Sequence, residues 1–157
     1  MAEDPWLDDE ELAAWRPVGA MLVLLPTRLD DAVAPFGLSF FEYAALAVLE
    51  RAPDQQLSTT WLARMANGSL SRMSHATRRL ERRGLVERTT SSTDRRVTIV
   101  SLTEVGRAEL ERAAPAHAAA VRSLVVDVLG AEQLAALGEA SAVIVDRLQP
   151  GGPPPER

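Results

Sequence analysis

Apolar positions recur at helical spacing along most of the chain and change to a strand-like pattern once, over residues 85–102. Asp8 or Asp9 is placed to cap a first helix, with Glu10 and Glu11 in the turn where the helix dipole favours acids. That helix is predicted to run to about Val33, and Pro17 and Pro26 inside it predict a kink or break at one of them. Ala34-Pro35-Phe36-Gly37 ends it. Ser39 caps a second helix, FFEYAALAVLERA, whose inward stripe is read as Phe40, Tyr43, Ala44, Ala47 and Val48. Pro53-Asp54 stops it. A short extended piece, 55–58, leads into a third helix capped by Ser58 or Thr59, with Leu62 and Met65 inward. Asn67-Gly68 makes a turn, because both residues tolerate positive φ. Ser69 caps a fourth helix, LSRMSHATRRLERR, which stops at Gly84 as a left-handed cap.

The next two runs, 85–90 and 96–102, are rich in Val, Ile and Thr and read as strands joined by the polar loop 91–95. Thr103 caps a fifth helix expected to reach about Val128, with a bend at Pro115, and Gly130 breaks it. A sixth helix, AEQLAALGEASAVIVDRL, carries Leu134, Leu137, Ser141, Ile144 and Leu148 on one stripe. Residues 1–7 and 149–157 have nothing to pack and are expected to be disordered. The fold class that follows is mainly α with a small β-hairpin. Helix, turn, helix, hairpin is the winged helix-turn-helix order, here with a helical frame on both sides.

Charge sharpens this picture. The chain has 157 residues and a net charge of −5, yet residues 62–107 hold ten arginines against four acids. A basic centre on an acidic body is the local footprint expected of nucleic-acid binding. In the fourth helix, Met73, Ala76 or Thr77, and Leu80 fall on one face and should pack on the domain. Ser71, Ser74, His75, Arg78 and Arg82 fall on or near the other, with Arg72 and Arg79 flanking it. A helix fits the DNA major groove, where arginine pairs bidentately with guanine, and the helix N-terminus suits a phosphate. Ser71, Arg72, Ser74, His75 and Arg78 are therefore expected to reach bases, with Arg79 beside them, and Arg82, Arg83 and Arg88 to meet phosphates. At the hairpin tip, Arg95 and Arg96 can reach a minor groove, whose negative potential attracts arginine. Asp94 would repel phosphate, so it is read as the group that pairs with an arginine and fixes the turn. A surface ion pair, such as Arg78 with Glu81, is the plainer reading of any one of these arginines.

The stretches LERRGLVER and DRRVTIVSLTEVG, the latter with its Leu-Thr-x-x-Gly close, strongly resemble the MarR (multiple antibiotic resistance regulator) transcription factors. The match is close over residues 58–110, and helix order extends it over about 8–148. The resemblance implies a homodimer whose first, fifth and sixth helices (8–36 and 104–148) form a dimerisation region. It implies a winged DNA-binding lobe over 37–103 that binds a pseudo-palindromic operator on double-stranded DNA, with Arg96 as the wing arginine. It also implies a repressor released by a small aromatic or phenolic effector bound between the dimer base and the lobe. Pocket candidates are Trp15, Phe40, Tyr43 and Trp61, each more readily explained as core, and His117 as a hydrogen-bonding partner for an acidic ligand. The chain departs from the family at Asn67-Gly68-Ser69, where an apolar residue is usual near position 68, and a looser turn is expected. Pro17 and Pro26 depart from a usually continuous first helix.

Other classes find little support. No cysteine is present, which removes disulfides, thiolate chemistry and thiol-based sensing. No cofactor is called for: there is no nucleophile–base pair, glycine-rich phosphate loop or metal-ligand spacing, and the two histidines, 75 and 117, are isolated. The chain is expected to be a regulator and not an enzyme. The acidic N-terminus is unlike a secretory signal and the longest apolar run is short of a membrane span, so a cytoplasmic location without membrane contact is expected. The alternative is a winged-helix module that uses its face on a protein partner.

Overall fold

A computed structural model describes residues 6–149. The first helix, α1, spans Asp9–Val33 and opens with a reciprocal cap, in which the Asp8 carboxylate accepts from the Glu11 N–H and the Glu11 carboxylate from the Asp8 N–H. Of the kink or break expected here, the break does not occur, since α1 runs through both Pro17 and Pro26. Both prolines, and the carbonyls they free four residues back at Ala13 and Leu22, lie on exposed positions where water can satisfy them. A single 3-10 turn, Ala34–Phe36, and Gly37 at φ +67° turn the chain into α2, Phe40–Arg51, capped by Ser39 with Glu42.

A second 3-10 turn, Pro53–Gln55, leads to β1 (Gln56–Ser58), α3 (Thr59–Met65) and α4 (Leu70–Arg82). Then come β2 (Val86–Thr90), β3 (Thr98–Leu102) and α5 (Glu104–Val121). The extended piece before α3 is thus a strand, and the sheet has three antiparallel strands in the order β1-β3-β2, with Leu57 opposite Val100 and Arg88 opposite Val100 on the other side. The hairpin loop is longer than expected, and Arg96 lies in it. Pro115 lies inside α5 without ending it, and the helix widens into a π turn at Arg122–Val126. The last helix, α6, spans Ala131–Leu148.

Two stripes face otherwise than expected. On α2 the fully buried side is Phe41, Glu42, Ala45, Leu46 and Leu49, while Phe40, Tyr43, Ala47 and Val48 are half-buried against it. On α3, Leu62, Ala63 and Ala66 are buried and Met65 is exposed. Leu46, Leu49, Leu62, Met73, Leu80, Val86 and Val100 form the centre of the core, which α5 closes with Leu110 and Ala113. The motif Leu-Thr-x-x-Gly sits at this closure. Thr103 caps α5 by accepting from the Gly106 N–H at 3.0 Å and donates to the Gly84 carbonyl at 2.7 Å. A Cβ at Gly106 would collide with the Leu85 carbonyl, so only glycine lets α5 pass so close to the start of β2.

The helical frame is left largely uncovered. On α6, Val143, Ile144, Val145 and Leu148 are exposed, as are Trp15, Leu22, Val23 and Leu24 on α1. Of the expected α6 stripe only Leu134 and Leu137 are half-buried. The termini expected to be disordered lie mostly outside the described residues. Trp6 and Leu7 are exposed, and the Gln149 side chain donates to Asn67 Oδ1 at 2.9 Å.

Candidate nucleic-acid interface

The helix-turn-helix is built from side-chain caps. Ser58 accepts from the Trp61 N–H and Ser69 from the Arg72 N–H, each at 3.2 Å, so both helices start with a satisfied turn. Asn67 takes the left-handed conformation, φ +54°. The turn is not hollow at Gly68. The Phe41 ring of α2 fills the place where a side chain would begin, so apolar filling comes from the opposite wall. At its far end α4 closes on Gly84 at φ +71°, with the Leu85 N–H donating to the Leu80 carbonyl at 3.0 Å.

As expected, α4 buries Met73, Ala76, Thr77 and Leu80. Ser71, His75, Arg78 and Arg82 are exposed and Ser74 is half-buried. Among the described residues the Arg78 guanidinium has no hydrogen bond or ion pair; Glu81 pairs with Arg88 instead, at 3.3 Å. The Nε of Arg88 is buried and has no hydrogen-bond partner among the described residues. His75, Arg78, Arg79, Glu81, Arg82 and Arg88 line an open groove of about 480 Å³ between α4 and the sheet. Five of those six side chains are basic, which suits a polyanion.

Other arginines have protein partners. The Arg72 guanidinium lies 4.1 Å from the centre of the Phe41 ring, Arg79 pairs with buried Glu42 at 2.8 Å, and Arg83 donates to the Gly37 carbonyl. On the wing, Asp94 does what the sequence suggested. Its carboxylate accepts from Nε and from a terminal nitrogen of Arg96, both at 3.1 Å, and from the Arg96 N–H at 2.9 Å. The Arg96 side chain, followed by its backbone N–H, holds the Asp94 carboxyl below the usual carboxylate range. Arg95 and Arg96 are exposed at the tip.

The pocket candidates separate. His117 of α5 stacks on Tyr43 at 4.4 Å and on Phe40 at 5.8 Å between ring centres. Burial lowers the His117 pKa from its ordinary 6.5 and raises that of Tyr43, the latter eased by Arg51 and reinforced by Glu50. Trp61 carries the Arg64 guanidinium at 5.2 Å instead, and Trp15 is half-exposed on α1. Among the described residues no group of three or more His, Cys, Asp or Glu could hold a metal, and no single helix is long and apolar enough to cross a membrane.

Residues 36–97 match a family model described as the MarR family. Sco3205 of Streptomyces coelicolor, a MarR family transcriptional regulator solved in complex with DNA, is 37% identical with a TM-score of 0.89, over 96% of this chain and 95% of that one. AbsC of Streptomyces coelicolor, also a MarR family regulator, is 34% identical with a TM-score of 0.85, over 94% and 100%. The transcriptional repressor CouR, bound to a 23-mer DNA duplex, is 28% identical with a TM-score of 0.74, over 88% and 98%. A structure of CouR from Rhodococcus jostii RHA1 bound to p-coumaroyl-CoA shares the fold at 24% identity, with a TM-score of 0.69 over 90% and 96%. No curated protein matches the chain.

Proposed function

The chain belongs to the MarR family and is a winged-helix DNA-binding transcription regulator; from that premise we propose that it acts as a homodimeric repressor on a pseudo-palindromic operator. The observation that carries this is the open basic groove beside α4, with Arg78 in it unpaired among the described residues and the wing arginines beyond it. In this reading α4 enters the major groove. Ser71, Ser74, His75 and Arg78 face base edges, and Arg82 and Arg88 face phosphates. The wing reaches the adjacent minor groove with Arg95 and Arg96, and Asp94 keeps the Arg96 fork extended until DNA replaces it as the partner. Sco3205 and CouR, two of its relatives, have been solved on DNA, which supports the same use of this face.

The dimer reading rests on the exposed apolar faces of α1 and α6, which a second copy would cover. Two lobes held about one helical turn apart would meet two half-sites. An effector that binds a different lobe separation better would weaken DNA binding, and DNA would weaken effector binding equally. The stack of Phe40, Tyr43 and His117 at the junction of lobe and frame supports an aromatic effector there. That CouR binds p-coumaroyl-CoA fits the same idea.

The experiment is fluorescence-anisotropy binding to the DNA flanking the protein's own gene, at two salt concentrations, against unrelated DNA of equal length. The reading expects tight, salt-sensitive binding that prefers the flanking DNA. Equal weak binding to both duplexes, together with no preferred sequence in a random pool, would refute it.

A further inference from the structure

Two rows of basic side chains run along α4 and its C-cap residue, Arg83. Arg72, Arg79 and Arg83 stand at i, i+7 and i+11, one row on a helix of 3.6 residues per turn. This row follows the seam between the buried face of α4 and its open one. Each member is held by a different group from residues 36–42. Arg72 lies over the Phe41 ring, Arg79 donates from Nε to Glu42 Oε1 at 2.8 Å, and Arg83 donates to the carbonyls of Gly37 and Phe36 at 2.5 and 3.1 Å. The second row, His75, Arg78 and Arg82, faces the open groove, which Arg79 also borders from the seam.

Glu42 is the buried centre of the first row, only 6% exposed. Its other oxygen, Oε2, accepts from the Ser39 N–H at 2.9 Å and from the Ser39 hydroxyl at 3.1 Å. One carboxylate therefore joins the start of α2 to the middle of α4. A carboxylate so far from water needs full pairing, and Arg79 supplies the cation. The pair is directional, because it uses the Nε–H, so it constrains rotation of α4 about its own axis as well as its distance from α2.

We infer that Glu42 is a positioning residue for DNA reading. It holds Arg79, with Arg72 and Arg83 as flanking ties, and so turns His75 and Arg78 toward the DNA groove. This rests on the reading of α4 as the recognition helix, and it moves Arg79 from the DNA-facing set to the scaffold that aims that set.

Glu42→Gln separates the roles by the sign of its effect. Glutamine keeps an oxygen for the Ser39 cap and removes a negative charge near the DNA-facing helix. If Arg79 met phosphate, freeing it would raise affinity for any DNA. If Glu42 positions α4, affinity for the preferred duplex falls about tenfold, comparable to one mismatched base pair. Affinity for unrelated DNA does not fall with it, and the slope of log K against log salt stays as in the wild type. Anisotropy on the full chain reads both, with thermal unfolding checked alongside. Arg79→Lys, which keeps the charge but loses the Nε–H, is expected to lose the same preference at an unchanged salt slope. The double variant is expected to be no worse than either single one. Preferred-duplex affinity that is unchanged or raised in Glu42→Gln, or additive losses in the double variant, overturns the proposal. A wild-type chain with no preferred duplex overturns the regulator reading and this inference with it.

Discussion

Arg78 and Arg96 are both exposed cations, yet their removal should read differently. Among the described residues Arg78 has no side-chain partner, and it lines the groove beside α4, where in the proposed reading a guanidinium reaches a base edge. Arg78→Ala is expected to cost about 1–3 kcal/mol of operator binding and to relax preference at one position of the site. Arg96 sits on the wing tip with its side chain 91% exposed, held by Asp94. Arg96→Ala is expected to weaken binding across sequences and to lower the salt slope by about one. Anisotropy titrations on the operator and its single-base variants, at several salt concentrations, separate the two. His117 makes a third residue-level case. Burial lowers its pKa, so the folded state releases the proton that the unfolded chain still binds below about 6.5. The unfolded state then holds more protons, and stability falls as pH drops from about 6.5 through the folded pKa. His117→Phe keeps the stack on Tyr43 and removes the titration, so its Tm should change less than the wild type's between pH 7 and 5.5. An equal change would show that His117 does not titrate on unfolding. The positive charges and their turn were legible in the sequence, since they are neighbours along the chain. Which arginines are tied down was not, because Glu42 lies 37 residues from Arg79.

Element boundaries were legible for a local reason. Asp8, Ser39, Ser58, Ser69 and Thr103 each cap a helix through a hydrogen bond to a residue three positions on. What the pattern could not choose was the face of α2, because none of residues 40–50 is exposed and apolar side chains occur all round it. It read residues 55–58 as extended but could not place them in the sheet, because the pairing of β1 with β3 depends on residues more than 40 positions away. That α1 does not break at its prolines was illegible for a related reason: their cost depends on whether the freed carbonyls can reach water, which the sequence does not record. The junction of α5 with β2 gives a direct test of element packing. Gly106→Ala forces a methyl against the Leu85 carbonyl, and relief requires α5 to move away from the core. A loss of at least about 1–3 kcal/mol in denaturant unfolding is expected, as for overpacking at a tight site. Gly138→Ala, where a Cβ meets nothing within 4 Å, should be neutral or stabilising and serves as the control.

On the scale of the whole molecule, charge and hydrophobicity are segregated. The basic residues cluster on the lobe, while the frame carries acid and an uncovered apolar surface. Val143, Ile144, Val145 and Leu148 are all at least half-exposed near the end of α6, and Leu22, Val23 and Leu24 are similarly bare on α1. Apolar surface of this extent on a folded chain marks a contact site. The sequence showed the stripe on α6 but not that the chain itself leaves most of it unburied, since a stripe is identical whether an intrachain or an interchain neighbour covers it. If a second copy covers it, a charge placed there should separate assembly from the chemistry of the lobe. Ile144→Glu leaves α4, the wing and their arginines untouched. Sedimentation is expected to show a dimer for the wild type and a monomer for the variant. The monomer should keep weak, salt-dependent affinity for any DNA through its single basic face, and lose the tight binding that needs two half-sites engaged together. A variant that stays dimeric, or a monomer that binds the operator as tightly as the wild type, would refute the idea that these helices set the spacing of the two lobes.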